Sequence, residues 1–163
     1  MAKAAEINQT PVFNESTVTN DFSAKTIPRI PSRRVINKVQ LSWHETFLKR
    51  LAVLTKLPDN WNGYGAGPVS FHVSNFAANM VASACPHHSQ EPQIVPGADG
   101  DLQIEWHSLE YDIELHVRAP FDVVATRCAG EEVEEIHLSA DFTVVAEWLN
   151  DLENAIATRA TAG

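Results

Sequence analysis

Apolar positions between residues 36 and 57 recur on one helical face. Trp43, Phe47, Leu51 and Leu54 stand at i, i+4, i+8 and i+11, and Leu41, Leu48 and Leu57 widen the stripe. That spacing predicts an amphipathic helix with Glu45, Lys49, Arg50 and Lys56 on its outer side, stopped by Pro58-Asp59. A second stripe of Val73, Phe76, Ala77, Met80, Val81 and Ala84 predicts another helix, capped by Ser70 and closed by Cys85-Pro86. A polar link, His87 to Glu91, follows, and the period then falls to two.

Gln93 to Pro96 reads as a short strand, and Ala98-Asp99-Gly100-Asp101 as the turn after it. Leu102, Ile104 and Trp106 alternate with Gln103, Glu105 and His107. After a turn at Ser108 to Glu110, Tyr111, Ile113, Leu115 and Val117 alternate with Asp112, Glu114, His116 and Arg118. Phe121 to Arg127 and Val133 to Leu138 read as two further strands, with Ala129-Gly130 turning between them. A last helix has its seam at Phe142, Val145, Leu149, Leu152 and Ile156, with Ser139 or Asp141 as cap and Glu147, Asp151 and Glu153 facing water. The pattern predicts an α+β fold: an antiparallel sheet of four to five strands with about three helices packed on one face, its other face charged.

Residues 1–35 lack such periodicity and carry Pro11, Pro28 and Pro31, so they read as an extended arm ahead of one α+β domain, 36–158, and a flexible tail, 159–163. Arg29, Arg33 and Arg34 form the basic end of the arm and are candidate binding residues. Two cysteines are too few for a disulfide framework, no leader pattern opens the chain, and no apolar run reaches membrane-spanning length. These features predict a cytoplasmic protein with no membrane partner.

Charge is divided unevenly. Residues 1–56 hold nine Lys/Arg against four Asp/Glu, whereas residues 57–163 hold three against seventeen, within a net charge of -9. Such an acidic body disfavours direct DNA binding. Solubility alone accounts for acidity of this kind, and so does an arm folding back on the body. The functional alternative is a surface for a basic protein partner, with Glu105, Asp112, Glu114, Glu131, Glu132, Glu134 and Glu135 as its carboxylates.

Catalytic motifs are weak. The Gly63, Gly65 and Gly67 spacing lacks the Lys-Ser/Thr of a phosphate loop and the strand before a dinucleotide loop. Trp61, Gly63, Tyr64, Gly65 and Pro68 read instead as a structural corner, its glycines at φ > 0 or close approaches and its two aromatics pinned on the core. His107, His116 and His137 with Glu105, Glu114 and Glu135 should share the charged sheet face, where a metal site or acid/base pair is conceivable, although any solvated strand alternates this way. Cys85 and Cys128 have no nucleophile context. No catalytic residue, metal ligand or cofactor is assigned.

The stretch Leu57-Pro58-Asp59-Asn60-Trp61-Asn62-Gly63-Tyr64-Gly65-Ala66-Gly67-Pro68-Val69-Ser70 resembles a group of small uncharacterised bacterial proteins. Their pattern is W-D-G-Y-G-A-x-P-I/V-S, then a helix, a P-x-V/I-x-P strand and D-G-x-L/I-x-L/I-E-W. The later pieces stand here as Gln93-Ile94-Val95-Pro96 and Asp99-Gly100-Asp101-Leu102-Gln103-Ile104-Glu105-Trp106, so the likeness spans roughly residues 45 to 120. Asn62 replaces the usual Asp. The resemblance brings no established activity, but it implies accessory genes of mobile or defence-related regions, and so an inhibitor, antitoxin or immunity role.

Two other functions remain open from the sequence. One is a nucleic-acid mimic that inhibits a defence or DNA-processing complex. The other is a metal-dependent enzyme using His107, His116 and His137 with Glu105 or Glu114.

Overall fold

The computed structural model describes residues 41–163; the arm, with Arg29, Arg33 and Arg34, and the predicted helical residues 36–40 lie outside them. Eight elements follow in order: α1 (His44–Leu54), α2 (Phe71–Ala84), β1 (Gln93–Pro96), β2 (Leu102–Ser108), β3 (Tyr111–Ala119), β4 (Asp122–Ala129), β5 (Glu132–Leu138) and α3 (Thr143–Ala162). The strands form one antiparallel sheet in the order β1-β2-β3-β4-β5, each paired with its neighbour in sequence. The fold is α+β, and none of the described helices is long and apolar enough to cross a membrane.

Period-two alternation sets which face is covered. Leu102, Ile104 and Trp106 of β2, Ile113, Leu115 and Val117 of β3, and Val123 and Ala125 of β4 are buried. They share one core with Phe47 and Leu51 of α1, Val73, Ala77, Met80 and Val81 of α2, and Val145, Trp148, Leu149 and Leu152 of α3. A one-residue slip in any hairpin would turn its apolar set outward, so burial holds the register.

Several boundaries differ from the sequence pattern. Trp43 lies before α1 at its N-cap position, but its ring is buried beside Phe47 at 5.8 Å. Phe121 is not in a strand: Pro120 and Phe121 connect β3 to β4, and Phe121 adopts φ 65°, a costly conformation for a bulky side chain. Ser70 makes no side-chain cap on α2, although its N–H donates to the Gly100 carbonyl at 2.8 Å. Asp141 accepts from the Thr143 N–H at 2.9 Å at the start of α3. The tail predicted at 159–163 is helical through Ala162, where Ala155, Ala157, Ala160 and Ala162 favour continuation.

Glu153 also departs from expectation, because it is buried rather than solvated. Its Oε1 accepts the Gln90 N–H at 2.7 Å. The indole N–H of Trp43 donates to the Ser89 carbonyl at 2.7 Å, and that of Trp106 to the Gln90 carbonyl at 3.1 Å. The polar link after α2 is therefore a fixed knot on which the approach to α1, strand β2 and helix α3 converge.

Candidate functional site

On the face of the sheet opposite the helices, strand pairing lines polar side chains into rows. Gln103, His116, Val124 and His137 form one row; Glu105, Glu114, Thr126 and Glu135 form the next; His107, Asp112, Cys128 and Val133 the third. Alternation thus brings Glu105, His107, Glu114, His116, Glu135 and His137 to one surface. Glu105 and Glu114 are direct cross-strand partners, with Glu135 in the same row. Like charges directly opposite one another destabilise a sheet.

Part of that charge is neutralised locally. His107 lies between two carboxylates, with Nε2 3.0 Å from Glu105 Oε2 and Nδ1 2.9 Å from Asp112 Oδ1. The contact with Glu105 is a hydrogen bond, whereas Asp112 Oδ1 stands within ion-pairing distance of the ring without accepting one, so Asp112 acts on the imidazole through its charge. The hydrogen bond to Glu105, more than the charges of Asp112 and Glu114, raises the His107 pKa against the opposing effect of burial. Beside this, Asp101 accepts a hydrogen bond from His116. Burial pulls the Asp101 carboxyl upward, but the bonds from His116 and the Asp99 N–H outweigh it and hold it below its ordinary value. Arg118 pairs with Asp122 across the β3–β4 turn. Among the described residues, no Lys or Arg forms an ion pair with Glu105, Glu114 or Glu135.

The histidine gives the surface a pH response. A raised folded-state pKa means that the contribution of His107 is fully present below the ordinary value of 6.5 and is lost as pH rises through the folded value. A proton NMR titration should place the His107 midpoint above 6.5, and Glu105→Gln should move it down. A midpoint unmoved by Glu105→Gln would contradict the hydrogen bond between His107 and Glu105.

The seven proposed carboxylates do not form one patch. Glu105, Asp112, Glu114 and Glu135 share the open face, and Glu131 sits in the β4–β5 turn. Glu132 and Glu134 project to the opposite side, in register with Ala129 and Arg127. Both are exposed. Arg127 there stacks over Tyr111 and pairs with Asp151 of α3 at 3.1 Å.

The glycine-rich loop is a corner, but not as expected in every part. Asn60 Oδ1 accepts the Gly65 N–H at 2.7 Å, and Asn62 Oδ1 accepts those of Tyr64 and Ala66 at 2.8 and 3.2 Å. The Trp61 indole donates to the Gly67 carbonyl at 2.9 Å, so ring and loop are stapled together. Gly63 and Gly65 take positive φ. Tyr64 is not pinned to the core: it is 94% exposed at the loop apex, since the asparagines hold the turn without it. The oxygen of Asn62 is spent on backbone N–H groups, as an Asp oxygen would be.

This loop meets the β1–β2 turn. The Gly67 and Ser70 N–H groups donate to the Ala98 and Gly100 carbonyls, while Val69 donates to Leu54 at the end of α1. The two separated motif stretches are therefore one structural unit. Gly97 completes it, because a Cβ there would fall 1.9 Å from Asp101 Oδ1, the carboxylate that holds His116.

One feature has no counterpart in the sequence pattern. A groove of about 490 Å³ lies between α2 and the β3–β4 turn, walled by Phe76, Phe121 and Phe142 and edged by His72, Asn75 and Asn79. Pro120, a favoured first turn residue, is the signal that Phe121 turns rather than extends. Cys85 has its thiol pushed up to about 12, mainly by burial, and is a poor nucleophile at neutral pH. Among the described residues no three His, Cys, Asp or Glu side chains converge as a metal-ligand group.

No family model, no curated protein and no solved structure matches the chain.

Proposed function

We propose that the protein is a non-enzymatic binding module whose open sheet face engages a basic protein partner. The reading rests on one observation: Glu105 and Glu114 stand directly opposed, with Glu135 in the same row and no Lys or Arg ion-paired to the three among the described residues. The arrangement costs stability when the protein is alone. A cationic partner offsets that repulsion and gains charge-assisted hydrogen bonds. An accessory inhibitor, antitoxin or immunity role is the form implied by the resemblance of residues 57–70 and 93–106.

The test is a double substitution, Glu114→Gln with Glu135→Gln. Removal of two carboxylates from the crowded row leaves folding stability unchanged or higher by up to about 1 kcal/mol. Capture of a stoichiometric protein partner from nuclease-treated native extract should fall at least tenfold relative to wild type. Equal capture by the variant, with the same salt dependence, would reduce the row to a solvated surface. Displacement of the partner by DNA would favour a nucleic-acid mimic over a simple acidic module.

A further inference from the structure

We propose that the outer edge of β5 is a strand-addition site for an extended basic peptide segment, which joins the sheet as a sixth strand. The inference rests on the basic-partner reading and adds where and in what conformation such a partner docks. The two edges of the sheet are unlike. Strand β1 has four residues, follows Pro92 and ends with Pro96, so it is short and poor in donors. Strand β5 has seven residues, no proline and no register shift against β4, and among the described residues no strand lies beyond it. Its main chain presents a regular row of hydrogen-bonding groups, the template that strand addition uses.

The side chains select the occupant. Glu132 and Glu134 project to one side of β5 and Glu135 to the other, and all three are exposed. Between them Val133 is an apolar side chain left 68% exposed on the edge, which solubility does not require. Opposite these positions an incoming strand gains most by carrying basic, apolar, basic and basic residues in turn. A second copy of β5 would instead set carboxylate against carboxylate. The same charges that discourage pairing between copies therefore admit a cationic strand.

The experiment uses the full chain and a synthetic peptide of the sequence valine-lysine-lysine-valine-lysine with blocked ends, titrated by NMR and followed by amide exchange. Its partners are the same peptide N-methylated at alternate residues, which keeps every charge but cannot complete a ladder, and a glutamate-for-lysine control. The expected result is binding of the unmodified peptide with slowed exchange along β5. N-methylation and the Glu132→Lys/Glu134→Lys variant should each weaken it at least tenfold. Equal binding of the methylated peptide, lost in Glu114→Gln/Glu135→Gln, would overturn strand addition while leaving the acidic-face reading standing. Binding no better than that of the glutamate control would overturn strand addition, and partner capture by the Glu114→Gln/Glu135→Gln variant reports separately on the face.

Discussion

Phe47→Ala should lower folding stability by about 3–5 kcal/mol, the largest loss expected from a single truncation here. Phe47 is fully buried, and its ring meets Trp43 edge-on at 5.8 Å, an arrangement that adds to the area it buries. Alanine would leave a void between α1 and the rest of the core, whose surroundings close only in part. Against a total of about 5–15 kcal/mol for an ordinary domain, the loss is a large share. Urea denaturation should show a lower midpoint with an unchanged slope. The open face lies across the sheet from this cavity, so partner binding at low temperature should survive wherever the variant remains folded. A midpoint within experimental error of wild type would mean that α1 does not belong to the core.

The strands were legible because burial and pairing obey one rule. Alternation at residues 102–107 and 111–118 placed every core residue of β2 and β3 and the titratable side chains that these two strands give the open face. The seven carboxylates divide between two faces because composition, unlike parity, does not distinguish them. Glu132 and Glu134 share even positions with Ile136 and Leu138, the partly buried apolar residues of β5, and so belong to the helix side. Spacing also held the clue to Glu153, four residues after Leu149 and three before Ile156, and thus on the seam of α3 despite its charge. Tyr64 had no comparable signal. An aromatic in a glycine-rich loop can point inward or outward, and the choice depends on the hydrogen bonds from Asn60 and Asn62 that close the loop beneath it. Phe121 followed its hydrophobicity into a strand in the sequence reading, whereas the chain had to reverse at Pro120 to keep β4 in register.

Glu153→Ala should cost about 1–3 kcal/mol, since it leaves the Gln90 N–H without its acceptor inside the fold. Glu153→Gln retains an oxygen at that position and should cost less than half as much. Trp106→Phe keeps most of the buried ring but withdraws the donor from the carbonyl of the same residue, Gln90. The two changes act on neighbouring peptide groups, so their effects should not add. A double-mutant cycle is expected to give a coupling of at least about 0.5 kcal/mol, because once either contact is lost the segment can relax toward water and the second contact holds less in place. Trp43 anchors Ser89 one residue earlier, and Trp43→Phe should couple with both. Strict additivity across all three would mean that residues 89–90 are merely touched by α3, β2 and the approach to α1. Coupling would instead show that this short link, polar in composition, transmits order from the terminal helix to the sheet that carries the acidic face.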